Sequence, residues 1–264
     1  MPDIRPAKSE DWDEFHVMDL EVFPDDAMKE DWFKKRTERD GSFVLIQDDR
    51  IIGNLIVARF GDDEAHLGRI AVAKSHQGKG FGSMLMEYAI DWFRKQGGIR
   101  VAHLYTQDFN ESAQGLYKKY GFKRSGTTWS YYVPYDSVEP NKKHTCQKIQ
   151  KEEIDSVGSR WSSLPPEQIR RFLATEEQDV LTLKDMEGNI EGVCRFTPSF
   201  PGCFPFEITS LDCFDDFLAG LMEFKLPEHD YLRVTFTDLP DLANLCDKRE
   251  YRLHHRLHKM SLAL

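Results

Sequence analysis

The chain of 264 residues is long enough for two domains or one large one. Its 40% hydrophobic and 30% charged residues are the balance of an ordinary globular protein, and no apolar run approaches the ~20 residues that a membrane span needs. The net charge of −10 argues against a nucleic-acid surface, which requires a basic stripe. We therefore expect a globular protein that binds neither nucleic acid nor membrane.

Five cysteines bear on the compartment in which the protein works. Their number is odd, all lie beyond residue 145, and no two form a Cys-x-x-Cys pair. This pattern favours free buried thiols in a reducing compartment. The first residues also carry no apolar signal-peptide core, so we expect a cytoplasmic protein.

A strand, two helices and a hairpin are predicted over residues 1–60. Ser9 is predicted to be the N-cap of the first helix, which ends at the break Phe23-Pro24. In chain order the predicted elements are a strand at Asp3–Pro6, a helix from Ser9, a second helix around Trp32 and Phe33, and a hairpin of Ser42–Gln47 and Ile51–Phe60.

A strand, a glycine-rich loop and a helix are predicted to follow. Ala65–Val72 is dominated by branched and apolar residues, as in a strand, and glycines stand at positions 78, 80 and 82. Apolar residues at helical spacing then predict an amphipathic helix over Ser83–Lys95. The start of a helix offers unpaired backbone N–H groups and the positive end of the helix dipole. The sequence therefore predicts either a phosphate-binding site here or, alternatively, a tight turn without a ligand.

Two strings distinguish this loop from the commoner phosphate loops. The chain contains neither a P-loop string nor the Gly-x-Gly-x-x-Gly spacing of a dinucleotide fingerprint at this loop. Gln77–Gly82 instead fits Gln/Arg-x-x-Gly-x-Gly/Ala. After a predicted strand at Ile99–Thr106, Asn110–Phe122 fits Asn-x-x-Ala-x-x-Leu-Tyr-x-x-x-Gly-Phe. In their order and separation the two strings resemble the GNAT superfamily of N-acetyltransferases, and the resemblance covers roughly residues 3–135.

The resemblance implies an α/β fold with a mixed, mostly antiparallel sheet flanked by helices. It also implies acetyl-CoA as cosubstrate, no metal, and direct transfer of the acetyl group to a primary amine of a small molecule or peptide. The implied coenzyme A contacts are Ile70, Ala71, Val72, Gln77, Gly78, Lys79, Gly80, Phe81, Gly82, Ser83, Asn110 and Tyr117.

Acetyl transfer needs a base for the amine and a stabiliser for the leaving thiolate. The base candidates are His66 and Glu64, predicted on the same strand face as Ile70; a hydrogen-bonded structural histidine is the alternative for His66. The resemblance gives Tyr117 the place of the general acid. Complete proton transfer from a tyrosine to a thiolate is uphill by roughly 2 kcal/mol on ordinary pKa values. A strengthening hydrogen bond from Tyr117 is therefore the better interpretation.

Aromatic residues supply the candidates for the acceptor site. Phe23 lies at the break beside the acceptor in the GNAT plan, and Trp129 and Tyr131 belong to a β-prone aromatic run, for which core packing is the alternative. The Phe23-Pro24 string resembles one in the ribosomal-protein alanine N-acetyltransferases. Those enzymes carry a glutamate where this chain has Tyr105, which counts against a protein N-terminus as the acceptor.

The second half of the chain resembles a degenerate repeat of the first half. Pro134–Lys143 is predicted to be a linker, which divides the chain into residues 1–138 and 139–264. Three string pairs match at offsets that fall from 142 through 139 to 131, and the largest drop spans the glycine loop. A helix over Leu211–Phe224 is predicted without glycines before it. We expect a second GNAT-like domain without a pyrophosphate site. The matched strings are Lys151–Ile154 with Ser9–Trp12, Ile190–Gly192 with Ile51–Gly53, and Leu232–Thr237 with Val101–Thr106.

A metal site at three histidines and a second function are the remaining possibilities. We do not expect the metal site, because His254, His255 and His258 alternate as in a terminal strand and no carboxylate or cysteine completes a metal-ligand set. An acyl-CoA-binding sensor without turnover is the alternative function; the oligomeric state stays open.

Overall fold

The computed structural model describes residues 2–175 and 177–264. The strands are β1 (Asp3–Pro6), β2 (Ser42–Gln47), β3 (Arg50–Phe60), β4 (Glu64–Val72), β5 (Val101–Gln107), β6 (Lys123–Pro134), β7 (Thr145–Lys148), β8 (Asp179–Lys184), β9 (Ile190–Thr197), β10 (Gly202–Ile208), β11 (Tyr231–Thr237) and β12 (Arg252–Ala263). The helices are α1 (Trp12–Val22), α2 (Glu30–Thr37), α3 (Phe81–Lys95), α4 (Glu111–Lys119), α5 (Ile154–Arg160), α6 (Pro166–Leu173), α7 (Cys213–Leu221) and α8 (Pro240–Lys248).

The chain divides into two compact units. One unit comprises the chain up to Ser125 together with Lys259–Leu264, and the other comprises Gly126–His258. The strands β6 and β12 therefore contribute residues to both units. The predicted terminal strand with the three histidines is confirmed as β12.

The sheet of the first unit runs in the order β1-β2-β3-β4-β5, and the C-terminal residues of β12 follow β5. The strands β1 to β4 are antiparallel neighbours, whereas β4 and β5 are parallel. Helix α3 buries Leu85 and Phe93 in the core on one face, and α1 and α2 bury Phe15 and Phe33 in the core on the other. The predicted mixed α/β architecture with a mostly antiparallel sheet is confirmed.

The first helical segment begins differently from the prediction. Ser9 is not an N-cap but the first residue of a 3₁₀ turn, Ser9–Asp11, that leads into α1. The Asp11 carboxylate accepts the Lys8 N–H at 2.8 Å and pairs with both terminal nitrogens of Arg5 at 2.7 Å. The N-cap is therefore Lys8, one residue earlier than predicted, and its free backbone N–H is satisfied by the Asp11 side chain three residues further on.

The second half of the chain repeats the order of strands and α-helices of the first half. Apart from the 3₁₀ turns Lys74–His76 and Tyr135–Ser137 of the first half, each half reads strand, 3₁₀ turn, two helices, three strands, helix, strand, helix and strand. The matched strings fall on equivalent elements: the 3₁₀ turn Lys151–Glu153 corresponds to Ser9–Asp11, β9 to β3 and β11 to β5. The turn at Lys151 even repeats the capping arrangement, with Glu153 accepting the Gln150 N–H.

The sheet of the second unit places β11 between β6 and β10, followed by β9, β8 and β7. The pair β10–β11 is parallel, like β4–β5 in the first unit. The predicted helix over Leu211–Phe224 is the shorter α7, whose buried residues include Phe214, Phe217 and Leu218. All five cysteines are free and four are buried, as predicted. Among the described residues, no helix is long and apolar enough to cross a membrane.

Candidate active site

The strands β4 and β5 separate part of the way along their length. Their parallel pairs run from Glu64 opposite Val101 to Leu67 opposite Leu104, although β4 continues to Val72. On the other side of β4, the register with β3 shifts at the same point. Gly68 is the extra residue of this β-bulge, since Leu67 and Arg69 face consecutive residues of β3. A gap between two parallel strands therefore begins at Gly68.

The bulge corrects our assignment of side-chain directions along β4. His66 and Ile70 were predicted to share a face because they are four residues apart. One extra residue reverses the alternation, so Ile70 packs on the α3 side whereas His66 lies on the opposite side, beside His103 and Tyr105. Only the prediction that His66 and Glu64 share a face survives.

The glycine loop has a conformation that glycine permits and other residues resist. Gly78 and Gly80 have φ values of +74° and +90°, and Gly80 is the left-handed residue directly before α3. A Cβ atom at either position would meet no heavy atom within 4 Å, and both residues are exposed. The Gln77 side chain donates to the Val72 carbonyl at 2.9 Å, which ties the loop to the end of β4. The loop is thus fixed at its base and open at its tip.

Gly82 has a different task from the other two glycines. A Cβ atom there would lie 3.2 Å from the Leu116 side chain, so glycine allows α4 to approach α3 closely. The approach is reinforced by the Tyr120 hydroxyl, which donates to Glu87 at 2.7 Å and lies 3.2 Å from the Ser83 carbonyl oxygen. This contact was not predicted from the sequence. The only local indication of it is that Ser83 and Glu87 stand one turn apart on α3, where one side chain can reach both residues.

Helix α4 positions the two predicted residues of the second string. The Asn110 side-chain oxygen accepts the Ala113 N–H at 3.0 Å, so Asn110 is the N-cap of α4. Tyr117, two turns further, is 6% exposed, and its ring lies 6.2 Å from the ring of Phe122. Burial raises the pKa of Tyr117 to about 12. Within residues 2–175 and 177–264, its hydroxyl has no hydrogen-bond partner.

The two base candidates lie with a second histidine on one face of β4 and β5. The ring centroids of His66 and His103 are 5.6 Å apart, and His103 Nδ1 lies 3.8 Å from the Glu64 carboxylate. Burial, with His103 and Lys259 adding to it, lowers the pKa of His66 to about 3. Burial and Lys259 lower the pKa of His103 to about 4. Burial raises the pKa of Glu64, and Lys259 opposes that rise. His103 was not predicted as a site residue from the sequence, although it stands between the buried Ala102 and Leu104.

Phe23 lies at an ion pair that the sequence did not reveal. The Arg69 guanidinium carbon is 3.9 Å from the centre of the Phe23 ring, and Arg69 donates to both oxygens of Asp19 at 2.8 and 2.9 Å. Asp19 is fully buried and also accepts the Met28 N–H at 2.7 Å. This network connects α1, β4 and the segment that contains Phe23.

The other two acceptor candidates belong to the second unit. Tyr131 is 1% exposed within the core of that unit, and its hydroxyl donates to Asp247 at 2.8 Å. Trp129 is half-buried and stacks on Phe236. These contacts favour the core-packing alternative for Tyr131 and leave part of Trp129 accessible.

Two comparisons of sequence decide the family. A model of the acetyltransferase (GNAT) family matches residues 4–122. The ribosomal protein bS18-alanine N-acetyltransferase of Salmonella typhimurium is 32% identical over 101 residues, which make up 67% of that protein and 38% of this chain. The chain belongs to the GNAT family of acetyltransferases. The predicted resemblance and the class of enzyme, an N-acetyltransferase, are thereby confirmed.

A second relative carries the same name in another organism. The ribosomal protein bS18-alanine N-acetyltransferase of Haemophilus influenzae is 35% identical over 95 residues. That match spans 63% of the relative and 36% of this GNAT protein, so it covers less than two thirds of the relative's length.

Solved structures extend the likeness to the whole chain at the level of the fold. A GCN5-related N-acetyltransferase from Sphaerobacter thermophilus has a TM-score of 0.77 at 12% identity, with 99% of this chain and 95% of that chain covered. A tandem GNAT protein from the clavulanic acid biosynthesis pathway has a TM-score of 0.68 at 12% identity, with 100% and 98% covered. The tandem GNAT fold predicted for this protein is confirmed.

Proposed function

We propose that this GNAT protein transfers an acetyl group from acetyl-CoA directly to a primary amine of a small molecule or peptide. The observation that supports this most is the exposed Gly78–Gly80 loop at the N-terminus of α3, next to the point where β4 and β5 separate. Backbone N–H groups at such a helix start attract phosphate, and a gap between strands accommodates an extended ligand. The strand that borders the gap, β4, leads along the chain directly into the glycine loop.

The residues of the loop fit the pyrophosphate of coenzyme A. The space where side chains would stand at Gly78 and Gly80 is free, so the backbone is open to close approach of a phosphate. We propose that N–H groups from Gly78 to Ser83 hold the pyrophosphate, and that Gln77 holds the loop in place. The predicted contacts of Ile70, Ala71 and Val72 with the pantetheine arm, and of Asn110 with the same arm, remain part of this proposal.

Tyr117 is proposed to stabilise the leaving thiolate by a hydrogen bond rather than by giving up its proton. The acetylated thiol supplies an activated carbonyl; the amine attacks its carbon, and the C–S bond breaks. With a pKa of about 12, Tyr117 is a much weaker acid than a thiol near 8.5. Complete proton transfer would be uphill by about 5 kcal/mol, whereas a donated hydrogen bond strengthens as charge grows on sulfur.

Glu64 is favoured over His66 as the base. A lysine-like amine is neutral in only roughly one molecule in two thousand at pH 7, so a base must take its proton. The pKa of about 3 makes His66 a weak proton acceptor, whereas the raised pKa of Glu64 improves the carboxylate as a base. The acidic limb of the pH–rate profile should therefore shift in Glu64→Gln and stay in place in His66→Ala. The reverse result would assign the base to His66.

We propose that the acceptor is an amine, and a screen of candidate amines would identify it. The two relatives named above acetylate an alanine of ribosomal protein bS18, by their names, which makes a peptide N-terminus one candidate. Tyr105 replaces the glutamate expected of that subgroup, which favours a different amine. A mass-spectrometric screen with acetyl-CoA against amine and alanine-started peptide libraries should find an acetylated product, and the class of product decides between the two.

The low pKa of His66 also supports one second candidate function. A protein without an effective base would bind acyl-CoA and act as a sensor without turnover. Tight coenzyme A binding together with no product in the whole library would support the sensor, whereas any catalysed product would exclude it.

A further inference from the structure

Three side chains of the second unit form a thiol–imidazole–carboxylate chain that plays no part in the proposed acetyl transfer. The Cys213 sulfur lies 3.7 Å from His144 Nε2, and His144 Nδ1 lies 2.8 Å from an Asp216 carboxylate oxygen. Cys213 and Asp216 belong to α7, and His144 directly precedes β7.

The contacts of Asp216 set the orientation and the proton of the imidazole. Its carboxylate is buried and accepts the backbone N–H groups of Lys142, Lys143 and His144 at 2.8, 3.0 and 3.1 Å. Although burial opposes ionisation, the His144 hydrogen bond and these N–H groups hold the pKa of Asp216 below its usual range. An ionised Asp216 takes the Nδ1 proton of His144 as a hydrogen bond, which leaves Nε2 as the acceptor facing the thiol.

The other four cysteines lack this arrangement. Among the described residues, Cys213 alone has a histidine nitrogen within 4 Å of its sulfur. Burial raises the pKa of the other thiols, to about 12 for Cys146, Cys203 and Cys246 and well above the ordinary value for Cys194. We therefore expect these thiols of the same unit to react slowly, and they serve as internal references.

Cys213 lies where the core of the second unit meets an exposed bend. The residue is 1% exposed and belongs to that core, whereas all four residues that precede it, 209–212, are exposed. The Thr209 and Ser210 hydroxyl oxygens lie 3.7 and 3.5 Å from the sulfur. A local opening of this bend would admit a reagent as small as hydrogen peroxide. The Ser210 hydroxyl can then donate to an oxygen bound to the sulfur, whereas the Thr209 hydroxyl donates to Glu191.

We propose that Cys213 is a peroxide-sensitive modification site activated by His144 and positioned by Asp216. His144 Nε2 takes the thiol proton, and the thiolate sulfur attacks one oxygen of a peroxide. The S–O bond forms as the O–O bond breaks, so sulfur loses two electrons and the peroxide gains them. The hydroxide that leaves takes the proton back from His144 and departs as water, and Cys213 is left as a sulfenic acid.

Hydrogen peroxide added to the folded full-length chain tests this site. The reaction is stopped with catalase at set times, the chain is denatured in dimedone and iodoacetamide, and peptide masses give the oxidised fraction of each cysteine. Because thiolate content controls the rate, Cys213 should be oxidised at least about tenfold faster than each of the other four. His144→Gln keeps an N–H donor for Asp216 but removes the proton acceptor, so it should reduce the Cys213 rate about tenfold or more. His229→Gln, a histidine of the same unit without a contact to Cys213, should leave that rate unchanged.

Two results would overturn the proposal. One is a Cys213 rate no greater than the rates of the reference cysteines in the unaltered chain, a comparison that needs no variant. The other is an unchanged Cys213 rate in His144→Gln when the reference cysteines still react slowly. If the variant unfolds, all five cysteines react together, and the comparison in the unaltered chain decides.

Discussion

At the scale of single residues, the pair His66–His103 shows how burial changes chemistry. Both imidazoles have pKa values below the ordinary 6.5 because they are removed from water and lie near Lys259. The unfolded chain therefore binds more protons than the folded chain between about pH 3 and pH 6.5. By linkage, the free energy of unfolding must fall as the pH decreases through that range.

Replacing one of these histidines should reduce the acid sensitivity of the protein. His66→Gln cannot take up the proton, so between pH 7 and pH 4.5 the variant should lose roughly 2 to 3 kcal/mol less unfolding free energy than the unaltered chain. Urea unfolding at both pH values measures this, and comparing the two differences cancels any packing cost that the substitution has at pH 7. Equal losses for both proteins would show that His66 protonates freely in the folded state.

Tyr117 is the residue whose removal should separate chemistry from binding. Tyr117→Phe removes only the hydroxyl, so kcat should fall about tenfold to a hundredfold while coenzyme A affinity changes little. Tyr88→Phe is the matched control, because Tyr88, a residue of α3, packs against the same core as Tyr117. Steady-state kinetics with the amine found in the screen provide the test. Equal kcat values for Tyr117→Phe and the unaltered chain would remove Tyr117 from the mechanism.

At the scale of elements, the sequence predicted helices and strands well and side-chain directions less well. The strings around Gly78 and Asn110 placed the loop and α4 correctly because glycine and N-cap residues act locally. The bulge at Gly68 depends on the register with β3, which no local pattern of β4 contains. Because the bulge was not recognised, His66 and Ile70 were wrongly predicted to lie on the same face.

The ion pair between α1 and β4 should contribute more to stability than any exposed pair on the same helix. Asp19 is fully buried with Arg69, so Asp19→Ala leaves a largely buried guanidinium unpaired and should cost roughly 3 to 5 kcal/mol. Glu14, also on α1, pairs with the exposed Arg50, and Glu14→Ala should cost less than about 1 kcal/mol. Denaturant unfolding compares the two variants. Similar costs would mean that the buried pair adds no stability beyond that of an exposed one.

At the scale of the whole molecule, we propose that residues 1–138 and 139–264 are the two halves of a repeat. Within the described residues, each half holds six strands and four α-helices in the same order. Most of β6, from Gly126 onwards, belongs to the second unit, whereas only the final residues of β12, from Lys259 onwards, belong to the first unit. A local sequence pattern predicts such a strand but not the unit that it joins. The equivalence of the halves could be recognised in the sequence only because short matching strings remain in both halves.

The halves differ at the position of the glycine loop. In the first, the left-handed Gly80 precedes α3; in the second, Thr209–Asp212 precedes α7 without a glycine. Because the segment 209–212 has no residue that adopts positive φ at low cost, we propose that the second half has no open cradle of backbone N–H groups at this position. We therefore propose one coenzyme A site per chain.

Calorimetric titration of the full-length chain with coenzyme A tests this central claim, using Gly80→Asp and Gly80→Asn. Both substitutions place a side chain of the same size at φ +90°, so they share the conformational strain, and only aspartate brings a negative charge to the proposed pyrophosphate site. We predict one site in the unaltered chain, no measurable binding for Gly80→Asp, and clearly detectable binding for Gly80→Asn. Two sites per chain, or equal affinities for the two variants, would contradict the assignment of the pyrophosphate to this loop.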